Sequence, residues 1–203
     1  NARYGAVVDG FDSIGCPKVS LVARDIQALG VKVKPLKVDA LELGKSKPAI
    51  ADKKFRYILD TTASLPVRYF LAHHAKLSAC LMHSILFGKA TMGVLAIEGK
   101  ERSVRVDDLM AFTNTLCVKD DLTQKAMYGG AVTRESFGDG CSSATTIMDD
   151  IGLSILSAAL AGRVNKHIGE NTGPDEGLLN ICHLDKNYKL DWTSHARARS
   201  YFC

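Results

Sequence analysis

A chain of 203 residues, 46% hydrophobic and 24% charged, has the make-up of a globular protein that can bury one sizeable core, alone or with an appended lobe. Its 26 basic and 22 acidic residues are interspersed, leaving a net charge of +4 and no basic run of the kind that forms a nucleic-acid tail. No apolar run is long enough to span a membrane and the opening residues do not read as a signal peptide, so neither nucleic acid nor membrane is expected as a partner.

Residues 1–14 read as loop. Gly15-Cys16-Pro17-Lys18 then opens a helix, with proline in the first turn where its missing N–H is not needed. Val19, Val22, Ala23, Ile26 and Leu29 recur at helical spacing, and Gly30 is its stop signal. Val31–Asp39 alternates apolar and basic residues and is expected to form a strand, lying at a sheet edge or interrupted because of Pro35. Ala40–Lys54 is polar and irregular, with room for a short helix.

Phe55–Asp60 is a compact apolar strand ending in a carboxylate, and Thr61–Ser64 turns into a helix over Leu65–Lys76. A strand, an acid at its C-terminal end and a helix are the parts of an α/β ligand site, because ligands of such sheets sit beyond the carboxyl ends of the strands. Ser78–Phe87 and Thr91–Glu98 are further strands joined around Gly88, and Arg102–Val106 is expected to continue that sheet. Asp107-Asp108 starts a helix through about Val118, its acids matched to the helix dipole.

Lys119–Thr146 is the longest stretch without periodicity, rich in glycine, and a loop of that length in a compact domain is usually functional. Cys141 lies near its end, in Gly138-Asp-Gly-Cys-Ser-Ser-Ala-Thr-Thr, just before a helix expected over Ile147–His167. Ile151, Ile155, Leu156, Ala159, Leu160 and Val164 fall on one face of that helix. A Gly/Asn/Pro-rich linker at 169–177 leads into a hairpin of Leu178–Leu184 and Tyr188–Trp192. The domains expected are therefore 1–168 and a small C-terminal hairpin appendage, 169–203.

The six cysteines, at 16, 80, 117, 141, 182 and 203, contain no C-x-x-C pair. Neither a disulfide framework nor a zinc site is expected, and the pattern suits a reducing, cytoplasmic compartment. A thiol in a polar loop ahead of a helix N-terminus sits where its thiolate is favoured, which singles out Cys141. Taken alone, Lys18 reads as a solvated first-turn lysine and Asp60 as a cap on the following helix.

Taken together and in order, Asn1-x-Arg3, Gly15-x-Pro17-Lys18, Leu59-Asp60-Thr-Thr and Gly140-Cys141-Ser-Ser resemble the ThiF/MoeB family, the ubiquitin-activating-enzyme-like adenylyltransferases. The resemblance covers most of residues 1–165. Met92–Glu98, the stretch from Arg102 to Leu109 and Gly-Cys-Ser-Ser are similar to its bacterial ubiquitin-like conjugation branch, some members of which belong to anti-phage operons. It implies an α/β, Rossmann-like adenylation fold, here partial, with a crossover loop bearing the catalytic cysteine.

By that resemblance Arg3 and Lys18 bind the phosphates of ATP, Asn1 and Asp60 also belong to the ATP site, Asp60 holds Mg2+, and Cys141 captures the acyl group as a thioester. The implied partner is a ubiquitin-like or sulfur-carrier protein, with a conjugating-enzyme-like domain alongside. The family also implies a homodimer, through an apolar face built from the Ser78–Glu98 strands or the helix before them. Its glycine-rich phosphate loop precedes the Asn/Arg motif and is not found in residues 1–203, and the opening Asn-Ala-Arg-Tyr has no methionine; both read as the interior of a larger enzyme. The alternatives are a ThiF-type adenylyltransferase of a sulfur carrier or peptide, and a non-catalytic module binding a ubiquitin-like partner.

Overall fold

The computed structural model describes residues 15–42, 55–62, 64–73, 77–129, 134–135, 145–146, 149–170 and 176–197. The chain divides into two compact units, Asn1–Ile50 and Ala51–Cys203.

In the first unit, helix α1 spans Lys18–Ala28 and buries Leu21 and Ala23. Pro17 is its N-cap, and the N–H groups of Ser20 and Leu21 donate to the Pro17 carbonyl. Gly30, at a φ of +81°, ends it in the left-handed turn that glycine adopts without a Cβ penalty. The strand expected over Val31–Asp39 does not form. Residues 31–37 run as irregular chain, Gln27 Nε2 donates back to the Val33 carbonyl at 2.9 Å, and Val31, Leu36 and Val38 stay exposed. Alternation supplies a strand only where a neighbour pairs with it and covers one face, and neither is found here among the described residues.

The second unit is mixed α/β, with a five-stranded mixed sheet. Its strands are β1 (Tyr57–Asp60), β2 (Cys80–Phe87), β3 (Met92–Ile97), β6 (Gly177–Leu184) and β7 (Leu190–Arg197), hydrogen-bonded in the order β1-β2-β3-β6-β7. β1 and β2 run parallel, joined through helix α2 (Leu65–His73), and the remaining neighbours are antiparallel. The β2–β3 turn takes positive φ at Gly88, Lys89 and Ala90. A short hairpin of β4 (Arg134–Glu135) and β5 (Thr145–Thr146) forms a separate two-stranded sheet. The C-terminal hairpin is no appendage, because β6 pairs with β3 from Leu178 to His183 inside the main sheet.

One sheet face is covered by helix α5 (Asp150–Glu170). Asp149 caps it, accepting from the Gly152 N–H at 2.9 Å, and Gly152, Leu156, Leu160, Val164 and His167 form its buried stripe. That stripe is offset from the expected one, so Ile151 turns to solvent. Met82, Leu95, Ile97, Leu160 and Val164 form one core cluster, and Ala90, Leu156, Cys182 and Leu184 another. Full burial of such a leucine or isoleucine contributes about 1.5–3 kcal/mol. A Cβ on Gly93 would sit 3.0 Å from Leu160 Cδ1, so its absence lets the helix lie close on the sheet.

The other face carries α2, helix α3 (Val106–Leu116) and helix α4 (Asp121–Tyr128). Instead of a strand over Arg102–Val106, a 3-10 turn at Lys100–Arg102 leads directly into α3. The eight-residue α4 falls inside Lys119–Thr146, where no periodicity predicted one. Its start is written in Asp120, whose carboxylate accepts from the N–H groups of Leu122 and Thr123. Both faces of β3 are covered and all its residues are buried.

Buried at the rim of the second face lies an ion pair that closes α2 onto the sheet. Glu98 is fully buried, and its Oε2 accepts from Arg102 Nε at 2.6 Å. Arg102 Nη2 also donates to the carbonyls of Leu71 (2.8 Å) and Ala72 (2.9 Å), and Nη1 to that of Leu77 (3.2 Å). Glu98 in turn accepts from the backbone N–H of Leu81 and of Val106. Arg105 reaches the Ala72 carbonyl as well. The end of α2 is thereby fixed, and with it the segment that follows β1.

Candidate functional site

Asp60 is the last residue of β1 and is only 3% exposed. The chain turns at once, so Thr62 donates to Asp60 Oδ1 twice, from its N–H at 2.9 Å and its hydroxyl at 2.8 Å. The other oxygen belongs to β2. Parallel register sets His83 opposite Asp60, and His83 Nδ1 lies 2.9 Å from Asp60 Oδ2.

Burial alone would raise the Asp60 carboxyl. The hydrogen bonds from His83 and Thr62 outweigh it and hold the group below the ordinary aspartate value, so it is ionised at neutral pH. A carboxylate can only accept, so the hydrogen of the shared bond resides on His83 Nδ1. Nε2 is buried and has no hydrogen-bond partner among the described residues. Such an atom, on a ring held in place by an acid on its far side, is open to one further hydrogen bond.

His83 lines a groove of about 490 Å3 between β2, α2, α3 and the end of α4. Leu65, Ile85, Phe87, Met110 and Met127 supply apolar wall. At the rim Arg68 Nε donates to Asp107 Oδ1 at 2.9 Å, and His73 Nε2 lies 3.1 Å from Asp107 Oδ2. Asn114 also lines it, its carbonyl oxygen accepting from the Tyr128 hydroxyl. Ser64, at the start of α2, offers its hydroxyl to the Val67 N–H at a long 3.5 Å.

Of the residues singled out in the sequence, Asp60 is at the strand end as expected. Lys18 is the first residue of α1, exposed, and belongs to the other unit. Asn1, Arg3 and Cys141 lie outside the described residues. Cys117 and Cys182 are buried free thiols, and Cys16 and Cys80 are half-buried. Sequence reasoning missed His83. Its one signal is a lone imidazole in an otherwise apolar strand, and that gains meaning only once parallel pairing with β1 puts it beside Asp60.

Whether Asp60 suits a magnesium ion follows from its lone pairs. Thr62 takes both on Oδ1 and His83 one on Oδ2, leaving a single oxygen lone pair on an ionised group. One lone pair is enough for the mode in which Mg2+ takes one carboxylate and fills its other positions with phosphate oxygens and water, but the Asp60 side chain is only 1% exposed, so an ion would reach it only through an opening beside β1. A site assembled wholly from protein is not seen: among the described residues no group of three or more His, Cys, Asp or Glu side chains could hold a metal. No helix among them is long and apolar enough to cross a membrane. No protein-family model matches the chain, and no curated protein compared with it does either.

Proposed function

We propose that the chain serves in a ubiquitin-activating-like enzyme that adenylates the C-terminus of a ubiquitin-like protein with ATP and captures it as a thioester on Cys141. The observation that carries this reading is the buried, ionised Asp60 at the carboxyl end of a strand with a parallel neighbour, where α/β sheets bind their ligands. The five-stranded mixed sheet, on this reading, is part of a Rossmann-like adenylation fold.

Thr62 and His83 hold the Asp60 carboxylate in one orientation, so it need not reorganise as charge develops. Its remaining lone pair on Oδ2 would hold Mg2+, which when bound supplies charge neutralisation to the triphosphate. Lys18 and Arg3 are proposed to meet the phosphates, Asn1 to contact ATP, and Cys141 to displace AMP from the acyl group, its thiol proton passing to solvent. The partner would be the ubiquitin-like protein, with a conjugating-enzyme-like domain accepting the acyl group onward.

The test is ATP–pyrophosphate exchange by the full-length protein with a ubiquitin-like protein bearing a free C-terminal glycine. Asp60→Ala should lower exchange at least about a hundredfold, the scale of a lost electrostatic contact in a transition state. Cys141→Ala should leave exchange intact and abolish the thiol-sensitive thioester. Exchange that survives Asp60→Ala would remove the reading. Exchange lost with Asp60 but a product formed normally without Cys141 would transfer it to a sulfur-carrier or peptide adenylyltransferase.

A further inference from the structure

The two edges of the main sheet are guarded differently. β1 is short, at four residues, whereas β7 runs for eight in unbroken register with β6 and holds no proline, bulge or lysine. No strand pairs with the outer side of β7 among the described residues. Proteins blunt exposed edges by shortening, kinking or charging them, and a long regular edge without those devices is a template for another strand.

The groups that this edge offers follow from β6. Leu184 N–H donates to the Thr91 carbonyl at 2.8 Å and Asp185 N–H to the Lys189 carbonyl at 3.1 Å, so even-numbered residues of β6 bond to β3 and odd-numbered ones to β7. Asp191, Thr193, His195 and Arg197 therefore turn their backbone groups to β6, and Leu190, Trp192, Ser194 and Ala196 turn theirs outward. The odd-numbered side chains share the face that carries α3, where the His195 ring and the Arg197 guanidinium lie against Phe112. Asp191, on that same face, is exposed and makes no hydrogen bond or ion pair among the described residues.

We propose that β7 pairs antiparallel with β7 of a second copy about a twofold axis at Ser194, joining two sheets into one. In this register Ser194 exchanges backbone hydrogen bonds with Ser194 of the second copy, and Trp192 with its Ala196. Asp191 then stands opposite Arg197 of the second copy at both ends, at the closer kind of cross-strand spacing, where opposite charges attract. A slip of two residues sets Lys189 opposite Arg197 in one direction and Thr193 opposite it in the other, so charge selects the centre. An interface of one strand edge is small, and the dimer is a weak one, with a Kd of roughly 10–100 μM. The inference does not rest on the adenylation reading, since neither ATP nor Cys141 takes part.

Sedimentation equilibrium of the 203-residue protein, at concentrations spanning that range, should show monomer and dimer exchanging. Asp191→Arg and Arg197→Asp each turn two attractions into repulsions and should weaken the dimer about tenfold, while the double variant restores it. On one strand the two positions lie about 20 Å apart, so the restoration has to come from pairing between copies. Ser194→Pro removes an outward N–H that β6 does not use, and should leave a monomer with the wild-type near-ultraviolet dichroism. Should that variant lose the native spectrum, the charge variants decide alone. A monomer at every concentration, a dimer that a natively folded Ser194→Pro leaves intact, or a double variant no tighter than either single one would each overturn the proposal. Pyrophosphate exchange enters none of these measurements, so the two readings fail separately.

Discussion

Two buried acid–base pairs stand at neighbouring places on the same sheet face, and they are finished differently. Glu98 and Arg102 satisfy each other and then everything around them: two N–H groups on the acid, three carbonyls on the guanidinium. Asp60 is equally well served, but its partner His83 is not, and Nε2 has no partner among the described residues. A closed network rigidifies, whereas a buried group left open is tolerated where the protein has another use for it. The first pair is architecture; the second is the candidate site.

Breaking the closed pair should have the largest effect. Glu98→Ala strands a guanidinium in the interior and should cost about 3–5 kcal/mol, read as a lower urea midpoint. Replacing both partners by leucine often restores such a loss elsewhere. Here it should not, because the carbonyls of Leu71, Ala72 and Leu77 would lose their donor. A double-leucine variant as stable as the wild type would show that the pair is not a staple.

The open pair should give a smaller, pH-dependent effect. Asp60→Asn keeps the shape and loses the charge-assisted bonds, about 1.5–3 kcal/mol at neutral pH. The folded carboxyl titrates below its ordinary value of 3.8, so the folded state binds that proton less readily than the unfolded chain. Its stabilisation is therefore complete above about pH 4 and lost as the pH falls through the folded value. Urea melts of the two proteins should differ by a constant amount from pH 7 down to about 4 and converge below it. A gap that stays constant to lower pH would mean that Asp60 is not held ionised by His83 and Thr62.

The smallest effect sharpens the contrast through a neighbouring thiol. Burial first, and the Glu98 carboxylate second, push Cys80 up to about 12. Its thiolate fraction at pH 7.5 is then well under about one in a thousand, and only the thiolate alkylates. Peptide mapping after iodoacetamide should find Cys80 slow to react in the native protein and faster in Glu98→Ala, with burial still holding its thiolate down. Similar labelling in both would mean that the pair does not shield this thiol.

Much of the sheet was legible, because β1, β2 and β3 are dense apolar runs bounded by turn residues and α3 opens on its acids. The failures share a cause. The strand expected at Val31–Asp39 rested on alternation, and pattern cannot supply a pairing partner. The C-terminal hairpin read as an appendage because nothing local says that Leu178–His183 will pair with β3. α4 is too short for periodicity, though its Asp120 cap was there to be read. Half of the site was visible, since Asp60 ends a strand before a helix. The other half, His83, lies 23 positions later and enters only through tertiary register.

Arg102 holds α2 by main-chain carbonyls and not by side chains. Every residue type carries that oxygen, so the grip depends on where the backbone of Leu71, Ala72 and Leu77 runs and not on which side chains those positions bear. Their spacing along the chain has no such freedom. A residue removed between Ala72 and Leu77 would carry the Leu77 carbonyl out of the fork's reach while those of Leu71 and Ala72 stayed. The fork thus reads chain length, through one side chain that lies 25 positions beyond Leu77.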